Sequence, residues 1–193
     1  MRKNKDMEFE LITRIRAGDT SGFRILVDRY KDLSFSLACS ILKNEQDAED
    51  ALQESFIKAF KGLGQFNFKS SFSTWFYKIV VNTCLTNNAK QQNDKQLIDF
   101  DSSVSIEIAE NNTPFNELNT KERKEIVNQV IDTLKTDEAL LLRLFYLAEL
   151  SIVDIKFITG FKESKIKVTL LRARNSFQQK LEKMYGSEIN LLS

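Results

Sequence analysis

Histidine is absent from the 193 residues, and proline occurs once, at Pro114. Without histidine the usual general acid–base group near neutral pH is missing, and no serine or cysteine nucleophile has its common partner. No phosphate-cradling glycine loop and no paired acid and base compensate, so an enzyme, a cofactor or a catalytic residue is not expected. Only two cysteines occur, Cys39 and Cys84, each inside an apolar helical pattern. That spacing excludes a disulfide framework and a CxxC motif, and fits buried thiols in a reducing compartment. Long apolar runs are lacking too. No window approaches the roughly 18 uncharged apolar residues of a membrane span, and the basic opening "MRKNKDMEFELITRI" has no long apolar core. Neither a signal peptide nor membrane insertion is expected, which leaves the cytoplasm as the address. Net charge is nearly lacking, at +1, so any nucleic-acid role needs charge separated locally.

What is present is helical spacing almost everywhere, interrupted by six glycines and the one proline, with no convincing alternation of a strand. The fold class is all-α. Apolar residues recur at helical spacing from Phe9 to Ile15 and from Phe23 to Tyr30, with Gly18, Asp19 and Thr20 as stop and new N-cap. A third helix is expected over Leu33 to Leu42, a fourth over "NEQDAEDALQESFIKAFKGLGQF" ended by Gly62 and Gly64, and a fifth over "SSFSTWFYKIVVNTC". Residues 92–117 are rich in Asn, Asp, Ser and Glu, hold Pro114 and show no sustained period, and read as a flexible linker. Helical patterning then resumes through "ERKEIVNQVIDTL", the strongly apolar "EALLLRLFYLAEL" and "SIVDIKFIT", and ends in a long helix from about Glu163 to Met184. Two small helical domains, 1–91 and 118–193, are the expected organisation.

Three faces carry possible function. Near the C-terminal end, a short helix, a turn at "TGF" and a basic second helix have the form of a helix-turn-helix, whose second helix enters the major groove. Ile166, Leu170, Ala173, Phe177 and Leu181 form its apolar stripe; Lys165, Lys167, Arg172 and Arg174 lie elsewhere, and residues 151–193 hold eight Lys or Arg against four Asp or Glu. Val168 and Leu171 fall on the exposed side, where they would meet thymine methyl groups or another protein. A plain helical hairpin with a solvated basic face fits the same pattern. The helix from Gln46 sets Ala48, Leu52, Phe56, Ala59 and Leu63 against Asp47, Asp50, Glu54 and Lys58, with Gln53 at the flank. That acidic side is a solvated face, a docking face for a basic partner, or a magnesium site, the last lacking a second carboxylate cluster, so that no metal is expected. In the fifth helix Ser71, Thr74, Trp75, Lys78, Asn82 and Thr86 lie within about 60° of one direction, and Phe72, Phe76, Ile79, Val80 and Thr83 point roughly 100° away. Phe72 and Phe76 belong to the core. Trp75, in a polar stripe with Lys78 and Asn82, suits stacking on DNA while its neighbours bond bases or phosphates; capping the core is its alternative role.

In their order along the chain these segments resemble the extracytoplasmic-function (ECF) group of bacterial sigma-70 factors. "AGDTSGFRILVDRYKDLSFSLACSIL", "QDAEDALQESFIKAFKGLGQF" and "FKSSFSTWFYKIVVNTC" are similar to the group's sigma-2 domain, and "LSIVDIKFITGFKESKIKVTLLRAR" to its sigma-4 pattern. The resemblance implies a protein that binds core RNA polymerase, recognises two promoter elements and opens the duplex. It implies that Asp50, Gln53 and Glu54 meet the polymerase β′ subunit, and that the core's β and β′ subunits are both partners. It implies that Phe66, Asn67, Lys69, Ser70 and Asn82 cradle a flipped base of the minus-ten element. It implies further that Lys167, Val168, Leu171 and Arg172, with Lys165 beside them, read the minus-thirty-five element, and that an anti-sigma partner is a further candidate. A regulator or adaptor using the same scaffold to hold a protein partner is the other reading. Two departures stand out. "NTCLTNNAKQQNDK" carries fewer positive charges than the group usually has there, and Lys156 puts charge where a small packing residue is expected, which predicts a loosely docked helix.

Overall fold

The computed structural model describes residues 2–95 and 120–185. Among these every regular element is helical: α1 (Arg2–Arg16), α2 (Ser21–Leu42), α3 (Glu45–Gly62), α4 (Phe72–Lys95), α5 (Thr120–Asp132), α6 (Thr136–Leu142), α7 (Ile152–Thr159) and α8 (Glu163–Tyr185). A short 3-10 turn follows α3 at Leu63–Gln65, and a π-type turn follows α6 at Arg143–Leu147.

Helices α1 to α4 form the first unit. Gly18 adopts a left-handed φ of 102° in the α1–α2 turn, a conformation glycine takes without steric cost. Of the three residues expected to stop α1 and cap α2, Asp19 supplies the acceptor, taking the Ser21 amide at 3.1 Å, while the Thr20 side chain makes no capping bond. The second and third expected helices are one continuous α2, because nothing between Tyr30 and Leu33 breaks the backbone. Asn44 caps α3, accepting from the Asp47 amide at 3.0 Å. Ala48, Ala51, Ser55 and Ala59 are wholly buried, and these small side chains let α3 lie close against α2 and α4. Phe72 and Phe76 stack at 5.8 Å, and Phe76 stacks on Phe56 at 4.6 Å, forming the aromatic centre of the unit. Helix α4 runs on to Lys95, so residues 92–95 of the expected linker are helical; its residues 96–117 lie outside the described residues.

The second unit packs α6 against α8 and α7 against both α8 and the π-type turn. Helix α7 opens with a reciprocal capping box between Ser151 and Asp154, and closes at Gly160, whose φ of 72° suits glycine at that position. It is firmly docked, contrary to the expectation raised by Lys156: Ile155 and Ile158 are buried, while Lys156 points to solvent. Helix α8 buries Ile166, Leu170 and Ala173 as its period dictates.

The two units share a continuous apolar core. Helix α7 lies on α4, and α6 with the π-type turn lies on α2. Polar contacts cross the seam. Arg143, only 1% exposed, donates from Nη1 to Ser40 Oγ of α2 at 2.8 Å and from Nη2 to Asp132 Oδ1 at 2.8 Å. Burial holds its guanidinium below the ordinary arginine range, and Asp132 works in the opposite sense. Lys43 Nζ donates to the Leu134 carbonyl at 3.4 Å, Thr74 Oγ1 donates to Asp154 at 3.3 Å, and Lys78 Nζ stands 3.6 Å from the centre of the Phe157 ring.

Candidate nucleic-acid and polymerase interface

The residues singled out from sequence fall in four places. On α3, Asp50 and Gln53 are exposed, and Glu54 is half-buried. Lys58 Nζ pairs with Glu54 Oε1 at 2.8 Å, and Asn87 donates to Oε2 at 3.3 Å. Those bonds, Lys58 foremost, hold the Glu54 carboxyl below its usual range. Ile57 is 55% exposed one turn beyond Gln53. Sequence reasoning missed it, although an apolar residue outside the helical stripe was the available signal. The face thus joins two free-standing polar side chains to an exposed apolar one, the composition of a docking patch. No group of three or more metal-ligating side chains is present among the described residues.

The second place is the segment leading into α4. Phe66 is buried rather than free to stack, since it packs on Phe68, Phe72 and Trp75. The Arg16 guanidinium reaches over from α1, donating to the Leu63 carbonyl at 2.7 Å and also to the Phe66 carbonyl. It lies 5.1 Å from the Phe68 ring centre as well. Phe68 holds a φ of 57°, a conformation that costs a non-glycine residue about 1–3 kcal/mol and persists only where its surroundings fix it. Asn67 accepts from the Lys69 amide at 3.2 Å; Asn67 and Lys69 are exposed, and Ser70 is half-buried. The segment is therefore a braced aromatic loop.

The third place is the polar stripe of α4. Trp75 is half-buried, its ring 5.0 Å from Phe66, and a β-carbon at Gly62 would stand 3.2 Å from the indole. One side of the indole thus caps the core. Asn82 is exposed about 15 Å along the helix from Phe72, at 1.5 Å per residue. Lys78 sits against Phe157, and Thr74 is 2% exposed beneath α7. The stripe that sequence presents as one polar surface is divided: its start lies under the second unit, and Asn82 lies clear.

The fourth place is α8. Val168 and Leu171 are 47% and 55% exposed, directly opposite the buried Ile166–Leu170–Ala173 stripe. Lys167 flanks them on one side and Arg172 on the other at 100° per residue, and both are exposed. Lys167 is paired with Glu163 at 2.6 Å, and Lys165 with Asp137 at 2.8 Å. Lys165 also stands 3.5 Å from the Phe161 ring centre, which turns it toward its own unit. On α7, Val153 is 74% exposed and was missed by sequence reasoning.

A helix-turn-helix, a braced aromatic loop and an acidic helix face fit one class, the helical transcription-initiation factors, and comparisons place the chain within it. Residues 26–93 match the family described as Sigma-70 region 2. The ECF RNA polymerase sigma-E factor of Haemophilus influenzae is 30% identical over 89% of this chain and 94% of its own length. The sigma-E factor of Escherichia coli is 30% identical over 89% of this chain and 93% of its length, and SigW of Bacillus subtilis 28% identical over 88% and 94%. Among solved structures, the sigma factor RpoE in complex with the anti-sigma factor NepR from Bartonella quintana superposes with a TM-score of 0.64 at 23% identity, over 83% of this chain and 96% of that one. CnrH in complex with the cytosolic domain of CnrY gives 0.58 at 17% identity, over 90% and 96%. The chain belongs to the ECF group of RNA polymerase sigma factors. No helix among the described residues is long and apolar enough to cross a membrane.

Proposed function

We propose that this sigma factor, working in the cytoplasm, docks on core RNA polymerase through the α3 face of Asp50, Gln53 and Glu54. In the same reading the loop of Asn67, Lys69 and Ser70, braced from within by Phe66, holds the melted minus-ten strand together with Trp75, Lys78 and Asn82 of α4. Helix α8 reads the minus-thirty-five element through Lys167, Val168, Leu171 and Arg172, with Lys165 at its edge. Residues through Lys95 form the polymerase and minus-ten domain, 118–193 the upstream domain, and 96–117 connect them. The observation that carries the reading is the exposed Val168–Leu171 pair between Lys167 and Arg172. Apolar side chains at the centre of a cationic helix face suit thymine methyl groups between phosphate contacts. Neither element needs high affinity alone, because polymerase holding both at fixed separation makes the second contact effectively intramolecular. Regulation by an anti-sigma partner is a second reading, favoured by the cover that α7 places over Thr74 and Lys78.

In vitro transcription with purified core polymerase and genomic fragments tests the assignment. The wild-type chain should yield discrete transcripts and co-purify β and β′ subunits. The double variant Asp50→Lys, Gln53→Lys, at two exposed positions, should lose both while its unfolding free energy moves by no more than about 0.5 kcal/mol, as for surface changes generally. Undiminished core binding by that variant would remove α3 from the docking face.

A further inference from the structure

The cations of α8 are not equivalent. Lys165 is tied to its own unit, by Asp137 of α6 at 2.8 Å and by the Phe161 ring beneath its ammonium. Arg174 Nε turns back to the Leu170 carbonyl at 3.3 Å. Lys167 instead pairs with a residue of its own helix, its Nζ 2.6 Å from Glu163 Oε1, and the two side chains remain 62% and 55% exposed. Glu163 opens α8. The hydrogen bond from Lys167, foremost, holds its carboxyl below the usual range, so it is ionised at neutral pH. Each step of four residues advances about 40° round a helix, so Glu163, Lys167 and Leu171 lead from the start of α8 onto its exposed face. The first turns of such a second helix are the part that meets base edges in the major groove. A fixed acceptor and a fixed donor therefore stand side by side, a hydrogen-bond length apart, where base pairs are read.

We propose that the Glu163–Lys167 ion pair is a specificity-determining unit, selecting one C·G pair of the upstream element with the cytosine toward Glu163. The inference rests on the reading of α8 as the helix that enters the minus-thirty-five element. In the major groove each base pair sets an amine against a keto oxygen, cytosine N4 against guanine O6 or adenine N6 against thymine O4. Those two groups are joined by a Watson–Crick hydrogen bond, so their spacing matches that of the carboxylate and the ammonium. A carboxylate only accepts and an ammonium only donates. Over a C·G pair Glu163 accepts the free N4 proton, and Lys167 donates to O6 and N7 of guanine. The reversed G·C pair sets O6 against the carboxylate and N4 against the ammonium, and both contacts turn repulsive. An A·T pair keeps an amine under Glu163, but adenine N7 then faces the carboxylate and Lys167 loses its second acceptor. A T·A pair fails as G·C does. A pair that merely supports its helix would survive exchange of its two residues with little change; one that reads bases would turn its preference round.

The test offers holoenzyme, the full chain with core polymerase, promoter fragments whose minus-ten region is fixed and pre-melted and whose upstream element is randomised duplex. Retained fragments are sequenced for wild type, Glu163→Gln, the exchange variant Glu163→Lys with Lys167→Glu, and Leu171→Glu, all at exposed positions. Wild type should favour C·G over G·C at one position by about 5- to 150-fold, the ratio expected of one good base contact. Glu163→Gln presents a donor as well as an acceptor and should lower that ratio at least about fivefold, at that position alone. The exchange variant should invert it, favouring G·C over C·G. Leu171→Glu sets a carboxylate at the centre of the face and should weaken selection at every upstream position. An exchange variant that keeps the wild-type preference overturns the base-reading role and leaves the pair a support of its helix. So does an unchanged preference in Glu163→Gln. Full upstream selection by Leu171→Glu would instead overturn the reading of α8 itself, whatever the Glu163 variants do.

Discussion

Ser40→Ala isolates the seam between the two units. Ser40 is wholly buried on α2, and its hydroxyl is the acceptor that the first unit offers to Arg143 Nη1 at 2.8 Å, while it donates to the Ser36 carbonyl at 2.9 Å within its own helix. Arg143 Nε already lacks a partner among the described residues. Alanine would leave a second guanidinium donor buried without an acceptor, a loss of about 1–3 kcal/mol. That loss falls on the packed arrangement, because once the units part the guanidinium reaches water. The α2 helix itself loses nothing comparable, since alanine is the better helix former by up to about 0.7 kcal/mol. The packed-to-open ratio should therefore fall by roughly 5- to 150-fold, while the first unit keeps its own stability. Distances between fluorophores on exposed positions Glu49 and Lys180, measured on single molecules, should show a larger open population in the variant. A pre-melted minus-ten strand should bind it faster as the α4 stripe under α7 becomes available. Identical distance distributions in the two proteins, or a variant whose first unit melts earlier, would refute this account of the seam.

Two further outcomes follow from the core. Phe76→Ala, at a fully buried ring stacked on Phe56 and Phe72, should cost about 3–5 kcal/mol in denaturant unfolding, whereas Trp75→Ala should cost less and impair opening of a duplex promoter more than binding to a pre-melted one; equal loss on both templates by a folded Trp75→Ala protein counts against a melting role. Burial pushes the Cys39 thiol up to about 11 and the Cys84 thiol up to about 12, and raises the Tyr30 and Tyr77 hydroxyls above their usual range. The folded chain thus holds protons that the unfolded chain releases from about pH 9 upward, so this stability is complete below pH 9 and is lost as pH rises toward the folded values. The denaturant midpoint should fall steadily between about pH 9 and about pH 11, and a flat profile there would contradict the burial of these groups.

Local periodicity determined much of this protein. The 3.6-residue spacing was enough to set the all-α class, the buried stripe of α8 with Val168 and Leu171 opposite it, and the Phe72–Phe76 core of α4, because which side of a helix is apolar is written within a few turns of chain. The motif order also carried the family. Capping chemistry was legible at Gly18–Asp19–Thr20, although which of these side chains accepts the amide, Asp19, was settled only by the fold. What periodicity does not contain is which element covers a polar face. Thr74 lies in a polar stripe by sequence and is 2% exposed in the fold, because α7, some 80 residues away, rests on it. Arg143 sits inside what reads as an apolar run, and its burial depends on Ser40, 103 positions earlier, and on Asp132. Glu8 is one charge among several in the opening segment, and only the tertiary structure sets it against Tyr30 at the wall of an aromatic cleft. A buried charge is tolerable only where distant partners converge on it, and that convergence is a property of packing, which no local pattern encodes.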